Sequence, residues 1–261
     1  FLLNLVNQRT LLLQLVRRDF QQRFVGSVAG WTWGLIHPLV LLACWTFVFQ
    51  VCLQAPLPPD SPTKHYALFL FAGFLPWPLF QDTMSRSATS LVEQSTLITK
   101  TVFPTEIVPV SVFLFFFFSH LLSMILALGA ILFIDGAPCP GPPVPPLYTL
   151  FAGLFAVGLA WVVAGLQVYL RDTVQFLSMA LTVWIWVTPI FIAPESYPPV
   201  ARTLLRFNPV AYLVNGYRDC LLGGRFPRLA DLFTLAVFAL GTFLLGGLLF
   251  RQLKRGFADV L

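Results

Sequence analysis

Long charge-free apolar runs are the feature of this sequence that most restricts its fold. Between Arg23 and Asp60 the chain has no Asp, Glu, Lys or Arg, and the same is true from Ile107 to Ile134. A helix needs about 20 predominantly apolar residues to cross roughly 30 Å of hydrocarbon. Only 10% of the residues are charged, whereas a soluble domain carries about 25%. The sequence therefore predicts an all-α integral membrane protein and excludes a water-soluble globular domain.

Six segments of the chain have the length and composition of membrane spans. They cover residues 31–52, 66–88, 107–134, 147–170, 173–193 and 230–250. Pro76 and Pro78 interrupt the second segment, so we expect a kinked helix there that continues in more polar form. The loop from Pro138 to Pro146 is built of proline and glycine and is not expected to be helical. The pattern predicts six transmembrane helices in a single membrane domain, residues 1–261.

Residues 194–228, between the fifth and sixth spans, have a different pattern. Their central apolar piece, between Arg206 and Arg218, is too short to cross a membrane and is flanked by an Asn-Pro and a Gly-Gly pair. Irregular backbone at membrane depth is tolerated only where protein or a water-filled cavity covers it. We interpret the segment as a re-entrant or external helical hairpin at the outer mouth of a transport path. An amphipathic hairpin on the outer surface is the alternative.

The basic residues predict the orientation in the membrane. With six spans both termini lie on one side, and placing them inside puts ten Lys and Arg residues in the cytoplasm and six outside. Five of those six belong to residues 194–228. By the positive-inside rule, both termini are expected to be cytoplasmic. The net charge of +5 is explained by this asymmetry and by contact of basic residues with anionic lipids. No nucleic acid is expected as a partner.

Residues for metal binding or energy conversion are not apparent in the sequence. The four cysteines and three histidines form no CxxC pair and no cluster at ligand spacing, so no metal site is expected. No GxxxxGK[ST] phosphate-binding loop occurs, and no acidic pair inside a span suggests proton coupling. The energy for directed transport is therefore expected to come from a partner. Cys139 and Cys220 are predicted to lie outside, where a disulfide or two thiols remain alternatives.

Three stretches of the sequence together resemble a known family. They are Arg18-Asp19-Phe20 on to His37-Pro38, Leu97-Ile98 through Lys100 and Phe103-Pro104 to Glu106-Ile107, and Arg171-Asp172 through Thr188-Pro189 and Asn208-Pro209 to Tyr217-Arg218. In this order they resemble the permease subunits of ABC-2 type exporters, which move lipid-linked polysaccharides such as O-antigens and teichoic acids. The resemblance implies a homodimer in the bacterial inner membrane that works with two ATPase subunits. ATP and Mg would bind to those subunits, and this chain would hold no cofactor.

Residues 93–104 are the predicted contact with the ATPase. Glu93 to Lys100 has the length of about two helical turns, Leu97 and Ile98 give it an apolar face, and Phe103-Pro104 ends it. Such a short cytoplasmic helix would transmit closure of the ATPase to the spans. The candidate coupling residues are Glu93, Leu97, Ile98, Lys100, Phe103 and Pro104. A plain solvated loop is the alternative.

Residues 1–28 are predicted to form an amphipathic helix at the cytoplasmic interface, because apolar and polar side chains interleave along them. The resemblance implies that such a helix borders the place where the lipid-linked substrate is taken up. Arg17, Arg18 and Arg23 are therefore candidates for binding its pyrophosphate headgroup. Binding of ordinary anionic lipids by these arginines is an equal alternative.

A polysaccharide path should be wet and lined by aromatic rings, on which the C–H faces of sugars stack. The candidate residues are Trp31, Trp33, Trp184, Trp186, Tyr212, Tyr217 and Arg218. Arg218 is expected to face a wet cavity and to pair with Asp219 or with exposed backbone carbonyls. Tryptophan and tyrosine also gather at membrane interfaces for their own amphipathic character, so simple interfacial anchoring is the alternative.

Other functions remain open from the sequence. The cargo could be a capsular polysaccharide, a teichoic acid, a drug or a small lipid instead of an O-antigen. A membrane-embedded transferase acting on lipid-linked substrates is the alternative from another class. Such an enzyme would need an acid–base pair near the interface, and its only candidates, Asp82, Asp172 and Asp219, have no acidic or histidine partner at helical spacing. No catalytic residue is therefore expected.

Overall fold

A computed structural model describes residues 8–24, 32–58, 61–100, 103–136, 145–224 and 226–260. Within these ranges the chain folds into helices joined by loops, without β-strands. The α-helices, in chain order, are α1 (Arg9–Phe24), α2 (Trp33–Thr46), α3 (Tyr66–Phe74), α4 (Pro76–Glu93), α5 (Ser95–Lys100), α6 (Ile107–Ile134), α7 (Pro145–Tyr169), α8 (Thr173–Val187), α9 (Pro199–Leu205), α10 (Pro209–Leu221), α11 (Leu229–Leu253) and α12 (Phe257–Val260). The all-α prediction is confirmed.

Three of the described helices, α6, α7 and α11, are long and apolar enough to cross a membrane. Of these, α7 is central: 61% of its most apolar window is buried, against 22% in α6 and 17% in α11. Its main neighbours are α4 and α11. A Cβ at position 246 of α11 would overlap the carbonyl oxygen of Gly158 in α7. The two glycines thus bring the backbones of α7 and α11 into direct contact, as small residues do in membrane helix pairs.

The second predicted segment contains two helices with a break at Leu75, close to the two prolines where a kink was expected. Helices α3 and α4 meet at Leu75, because Pro76 and Pro78 have no N–H to donate to the preceding turn. Helix α4 ends at Glu93, farther along the chain than the predicted end at residue 88. Most side chains of α3 are buried within the chain, so this helix is an internal element of the fold.

The first and fifth predicted segments end differently. Helix α2 continues into a π-helical turn, Phe47–Cys52, in which Phe49 stacks on Phe191 at a centroid distance of 5.1 Å. Helix α8 stops at Val187, six residues short of the predicted end at residue 193. The reason is Pro189, which biases Thr188 toward the extended conformation that it adopts.

Residues 194–228 contain the helices α9 and α10, joined near Asn208. The Asn208 side chain accepts a hydrogen bond of 3.1 Å from the backbone N–H of Val210 and so caps α10. Helix α10 has 13 residues, which span only about 20 Å. It packs against α3, α4, α7 and α11, and its side chains are mostly buried. Helix α10 is therefore an internal helix and not part of a surface hairpin.

Candidate functional site

A cavity of about 330 Å³ lies between α2, α4, α6 and α8, beside the bend that joins α3 to α4. Its polar lining consists of Gln81, Asp82, Ser85, Ser119, His120, Ser123, Ser178 and Thr182. Its aromatic lining consists of Trp45, Phe74, Trp77 and Phe116. A pocket that combines aromatic surface with a few convergent polar groups is the usual form of a ligand site.

The polar lining follows the helical repeat on each wall. Ser119 and Ser123 are four residues apart on α6, and Ser178 and Thr182 are four apart on α8. Residues with this spacing share one face of a helix. Each of these helices therefore turns one polar face to the cavity. Polar side chains within apolar helices are costly in a membrane and mark substrate pathways.

Hydroxyl groups of the wall donate to their own helices. The Ser123 Oγ donates to the Ser119 carbonyl at 3.1 Å, and the Thr182 Oγ1 donates to the Ser178 carbonyl at 2.8 Å. The indole N–H of Trp77 donates to the Gln81 Oε1. A hydroxyl whose proton is used in this way still has lone pairs to accept another bond. The hydroxyl oxygens of the wall can therefore accept hydrogen bonds from a ligand in the cavity.

His120 connects the cavity to helix α10. Its Nδ1 lies 3.2 Å from the Leu75 carbonyl, and its Nε2 lies 2.8 Å from the Tyr217 hydroxyl. A carbonyl only accepts, so Nδ1 carries the proton and donates, while Nε2 of the neutral ring accepts from Tyr217. Tyr217 also contacts the Thr149 hydroxyl at 2.7 Å. Both ring nitrogens of His120 thus have a hydrogen-bond partner within the fold.

Arg218 anchors α10 to the rest of the fold. Its guanidinium donates to the carbonyls of Phe69 at 3.2 Å, Pro189 at 2.7 Å and Ile190 at 2.5 Å. It also lies over the Phe69 ring, 3.7 Å from the centroid. Gly73 makes room for it, because a Cβ there would overlap the guanidinium. One side chain therefore joins α3, α10 and the chain segment after α8.

Tyr217 and Arg218, which we expected to line a wet path, are both buried within the chain. Tyr217 has no exposed surface and Arg218 is 7% exposed. The proposed pairing of Arg218 with backbone carbonyls is correct, but these carbonyls belong to α3 and to the chain around Pro189. They are not the carbonyls exposed at the Asn208-Pro209 and Gly223-Gly224 pairs that flank α10. The physical reason is that Pro189 ends α8 and leaves carbonyls without helical donors.

The other predicted path residues have varied surroundings. Trp184 donates from Nε1 to the Asn208 side chain at 2.9 Å, and Tyr212 donates from its hydroxyl to the Arg206 carbonyl at 2.9 Å. Trp186 is 59% exposed. Trp31 and the side chain of Trp33 lie outside the described residues. None of these side chains is among the described residues that line the cavity.

The residues that do line the cavity carried a sequence signal that our interpretation missed. The polar residues of α6 recur at helical spacing, 119, 120 and 123, within an otherwise apolar run. Trp45 and Trp77 supply the indole rings of the cavity, and neither was among the predicted path residues.

The predicted coupling segment forms a short helix, but its apolar residues do not share one exposed face. A break at Gln94 separates α4 from α5. Leu97 is 39% exposed, whereas Ile98 is 9% exposed and packs in a cluster with Phe250 and Phe257. The end of this chain therefore covers Ile98, whereas Leu97 is the apolar residue of the pair that is exposed.

The remaining coupling candidates surround that helix. Phe103 is half-buried against the same cluster, and Pro104 follows it in a non-helical stretch. Lys100 is exposed at the end of α5. The Glu93 carboxylate accepts hydrogen bonds from Arg86 at 2.6 Å and from Thr89 at 2.8 Å. These contacts fix Glu93 to the last turns of α4.

An ion pair holds the C-terminal segment to the start of α6. The Lys254 Nζ lies 2.6 Å from Glu106 Oε2, and the Glu106 side chain is only 3% exposed. Trp161 of α7 donates from its indole to the Glu106 carbonyl at 3.0 Å. A buried carboxylate needs such a partner to remain charged. Glu106 therefore ties the start of α6 to α7 and to the end of α11.

Helix α1 begins at Arg9 and packs against α6 through Phe20, whose ring lies 4.6 Å from that of Phe115. Arg17 is exposed. Arg18 is half-buried, and its Nε has no hydrogen-bond partner among the described residues. Partial burial raises the pKa of Asp19, while Arg18 and Arg86 oppose the rise. The side chain of Arg23 and residues 1–7 and 25–28 of the predicted segment lie outside the described residues.

The candidate acids of the alternative transferase do not converge. Asp82 lines the cavity, whereas Asp172, in the turn before α8, and Asp219, on α10, are not among its described lining. Cys220 is buried in the core, and Cys139 lies outside the described residues. The pairing of these two cysteines stays a prediction.

Comparison with known proteins gives consistent matches over most of the chain. The sequence profile of the ABC-2 type transporter family matches residues 10–222. The chain is 26% identical over 259 residues to the O-antigen export system permease protein RfbA of Klebsiella pneumoniae, covering 96% of this chain and 95% of that protein. It is 27% identical over 265 residues to the protein of the same name from Myxococcus xanthus, covering 98% and 96% respectively.

Proposed function

Because the chain belongs to the ABC-2 type transporter family, we propose that it is the membrane permease of an ATP-driven exporter for an O-antigen-like, lipid-linked polysaccharide. The observation that carries this proposal is the similarity to O-antigen export permeases over nearly the whole of both chains. The matched residues 10–222 include every described residue that lines the cavity. Transport would run from the cytoplasm to the periplasm.

The proposed topology has six spans: α2, the bent pair α3 and α4, α6, α7, α8 and α11. Residues 194–228 would stay on the periplasmic side as a re-entrant hairpin, because α10 is too short to cross. The excess of basic residues in the other loops supports cytoplasmic termini. The protein would thus be a multi-pass protein of the bacterial inner membrane.

This topology is tested by introducing single cysteines at residues 100 and 200, which are both exposed, and labelling intact cells with a membrane-impermeant thiol reagent. We expect labelling at 200 in intact cells and at 100 only after lysis, because a topology of six spans puts them on opposite sides. Variants without the native cysteines provide the background. Labelling of residue 100 from outside would contradict the topology.

The energy would come from a separate ATPase, as the family implies, with two permeases and two ATPase subunits in the complex. Helix α5 is the proposed docking element, with Leu97 as its exposed apolar side chain. Glu93, Lys100, Phe103 and Pro104 would shape its surroundings. The packing of Ile98 against Phe257 holds α5 in place. This supports a role for α5 in transmitting movement of the ATPase to α4 and α6.

The lipid-linked substrate is proposed to approach at α1. Arg17, Arg18 and Arg23 would hold the pyrophosphate, since arginine binds phosphate oxygens in a planar, bidentate manner. The buried Arg18 Nε without a described partner supports an anionic ligand there. An ordinary anionic phospholipid would satisfy the same group, and competition between the two lipids in reconstituted vesicles distinguishes them.

Export itself is tested by deleting the gene in its host and supplying it again. We expect the deletion strain to lose its surface O-antigen and to accumulate the lipid-linked glycan inside, because synthesis continues while the path is missing. Immunoblots of surface polysaccharide and extraction of the lipid-linked glycan measure both effects. Loss of capsule, teichoic acid or drug resistance with intact O-antigen would instead identify another cargo of the same transporter family.

A further inference from the structure

We propose that the C-terminal segment, residues 253–260, couples the docking helix α5 to the central helices α7 and α11, and that Lys254 and Phe257 are its positioning residues. This inference rests on the proposed function, in which α5 receives the ATPase. Along the chain α5 is connected only to α4 and, through a loop, to α6. The C-terminal segment would add a direct route from α5 to the centre of the membrane domain.

Helix α5 depends on packing for its position. It has six residues and a length of about 9 Å, and helices this short are marginally stable on their own. Among its described side chains only Ile98 is buried, whereas Leu97 and Lys100 are exposed. Helices α4 and α12 pack against it. Because α4 directly precedes α5 in the chain, α12 is the neighbour that comes from a distant part of the sequence.

Phe257, the first residue of α12, joins α5 to the central helices. Its side chain is 1% exposed and belongs to one cluster with Ile98 of α5, Phe250 of α11 and Trp161 of α7. Its ring lies 5.6 Å from that of Phe250 and 6.1 Å from that of Tyr169, at the end of α7. The edge-to-face pair with Phe250 favours one relative geometry. A single buried ring therefore lies between α5 and the ends of α7 and α11.

The backbone of the segment is also fixed to α7. After α11 the chain forms one 3-10 turn, Lys254–Gly256. The Tyr169 hydroxyl donates to the Leu253 carbonyl at 2.7 Å. Gly256 leaves room for that hydroxyl, because a Cβ there would overlap it. The turn thus brings α12 back against α7.

The Glu106–Lys254 ion pair fixes the loop that follows α5. Glu106 immediately precedes α6, and its nearly buried carboxylate lies 2.6 Å from the Lys254 Nζ. From α7, the Trp161 indole donates to the Glu106 carbonyl at 3.0 Å. Separating the pair would leave a buried carboxylate without this cation, which is costly. We therefore expect α5, the loop after it and the C-terminal segment to move as one unit.

This unit reaches the two helices at the centre of the domain. Gly158 and Gly246 bring the backbones of α7 and α11 into contact, so a displacement at the ends of these helices acts on both. Coupling between distant sites is carried by packed side chains and rigid elements. Leu97 would thus bind the ATPase, while Lys254 and Phe257 transmit its movement.

The first test supplies the deletion strain with Lys254→Met and measures surface O-antigen on the cells. Binding to the ATPase and ATP hydrolysis are measured on the purified complex. We expect surface O-antigen to fall about tenfold, while the dissociation constant of the complex is unchanged and ATP hydrolysis continues, because the Leu97 surface is intact. Lys254→Arg keeps the positive charge and should export normally. Arg255→Met is the matched control, since Arg255 is exposed and has no ion pair within the described chain.

Thermal stability separates a coupling role from a structural one. Lys254→Met leaves the buried Glu106 carboxylate without this partner, whereas Glu106→Gln/Lys254→Met removes both charges. The double variant should recover the thermal midpoint of the unmodified protein but not its export, because the link to the loop is still missing. Recovery of both would show that the pair only stabilises the fold.

Phe257→Leu keeps the cluster apolar and serves where the charge variants do not fold. It should lower export several-fold at unchanged ATPase binding, because the ring contacts with Phe250 and Tyr169 are lost. Normal export by folded Lys254→Met and Phe257→Leu proteins would overturn the coupling role alone. Weaker ATPase binding in both would overturn it as well, since the segment would then belong to the docking surface. Intact surface O-antigen in the deletion strain itself would instead overturn the proposed function.

Discussion

Replacing Arg218 with methionine is expected to prevent stable folding of the protein. The substitution leaves the carbonyls of Phe69, Pro189 and Ile190 without their donor. The Phe69 carbonyl stays within helix α3, but those of Pro189 and Ile190 lie outside any helix. A buried acceptor that loses its partner costs about 1–3 kcal/mol, so these losses are a large fraction of the stability of an ordinary domain, about 5–15 kcal/mol. Fluorescence-detected size-exclusion chromatography after a heat step should show loss of the monodisperse peak.

Arg202→Met is the matched control for this experiment. Arg202 also donates to backbone carbonyls, those of Glu195 and Tyr197, but it is exposed to solvent. Its loss should change the thermal midpoint little, because water replaces the lost donor. Normal folding of the Arg218→Met protein together with loss of export would contradict the anchoring role. It would instead support the prediction that Arg218 lines the glycan path.

Leu97→Asp is expected to impair coupling to the ATPase, whereas Ile98→Asp is expected to destabilise the permease itself, although the two residues are adjacent. Leu97 is 39% exposed, so its replacement should leave the permease folded and reduce permease-dependent ATPase activity by about tenfold, equivalent to 1.4 kcal/mol of docking energy. Ile98 is buried against Phe250 and Phe257. An aspartate there would place a charge in an apolar cluster, so the protein itself should be destabilised by several kcal/mol.

The measurements are the ATPase rate of the purified complex and the thermal stability of each permease variant. Leu170→Asp is the control, because Leu170 is another exposed leucine, 60% accessible, in the short turn before α8. It should retain both coupling and stability. Coupling at the level of the unmodified protein in Leu97→Asp would show that the ATPase docks at another surface.

The course of the helices was largely predictable from the sequence. Helix α6 has the predicted bounds, Ile107–Ile134, because Glu106 and Asp135 flank an uninterrupted apolar run. The bend at Pro76 followed from the missing proline N–H. Helix α8 was predicted too long because hydropathy alone does not distinguish a helix from the apolar extended segment that follows Pro189.

The role of buried polar residues was not predictable in the same way. The partners of Arg218 are carbonyl groups, which every residue has, and they are brought to it from distant parts of the chain. No side-chain pattern marks them. The same holds for Ile98, whose apolar character fits a docking face as well as it fits a core. Sequence patterns indicate which residues avoid water, but the fold decides what covers them.

The packing of Ile98 against Phe257 also has a consequence for biosynthesis. Phe257 lies more than half the sequence beyond Ile98, so the ribosome has already translated every proposed span before this contact forms. Until then α5 lacks the support of both Phe257 and the Glu106–Lys254 pair. A nascent permease would therefore expose an unfinished docking element, and productive assembly with the ATPase would await synthesis of the C-terminal helix.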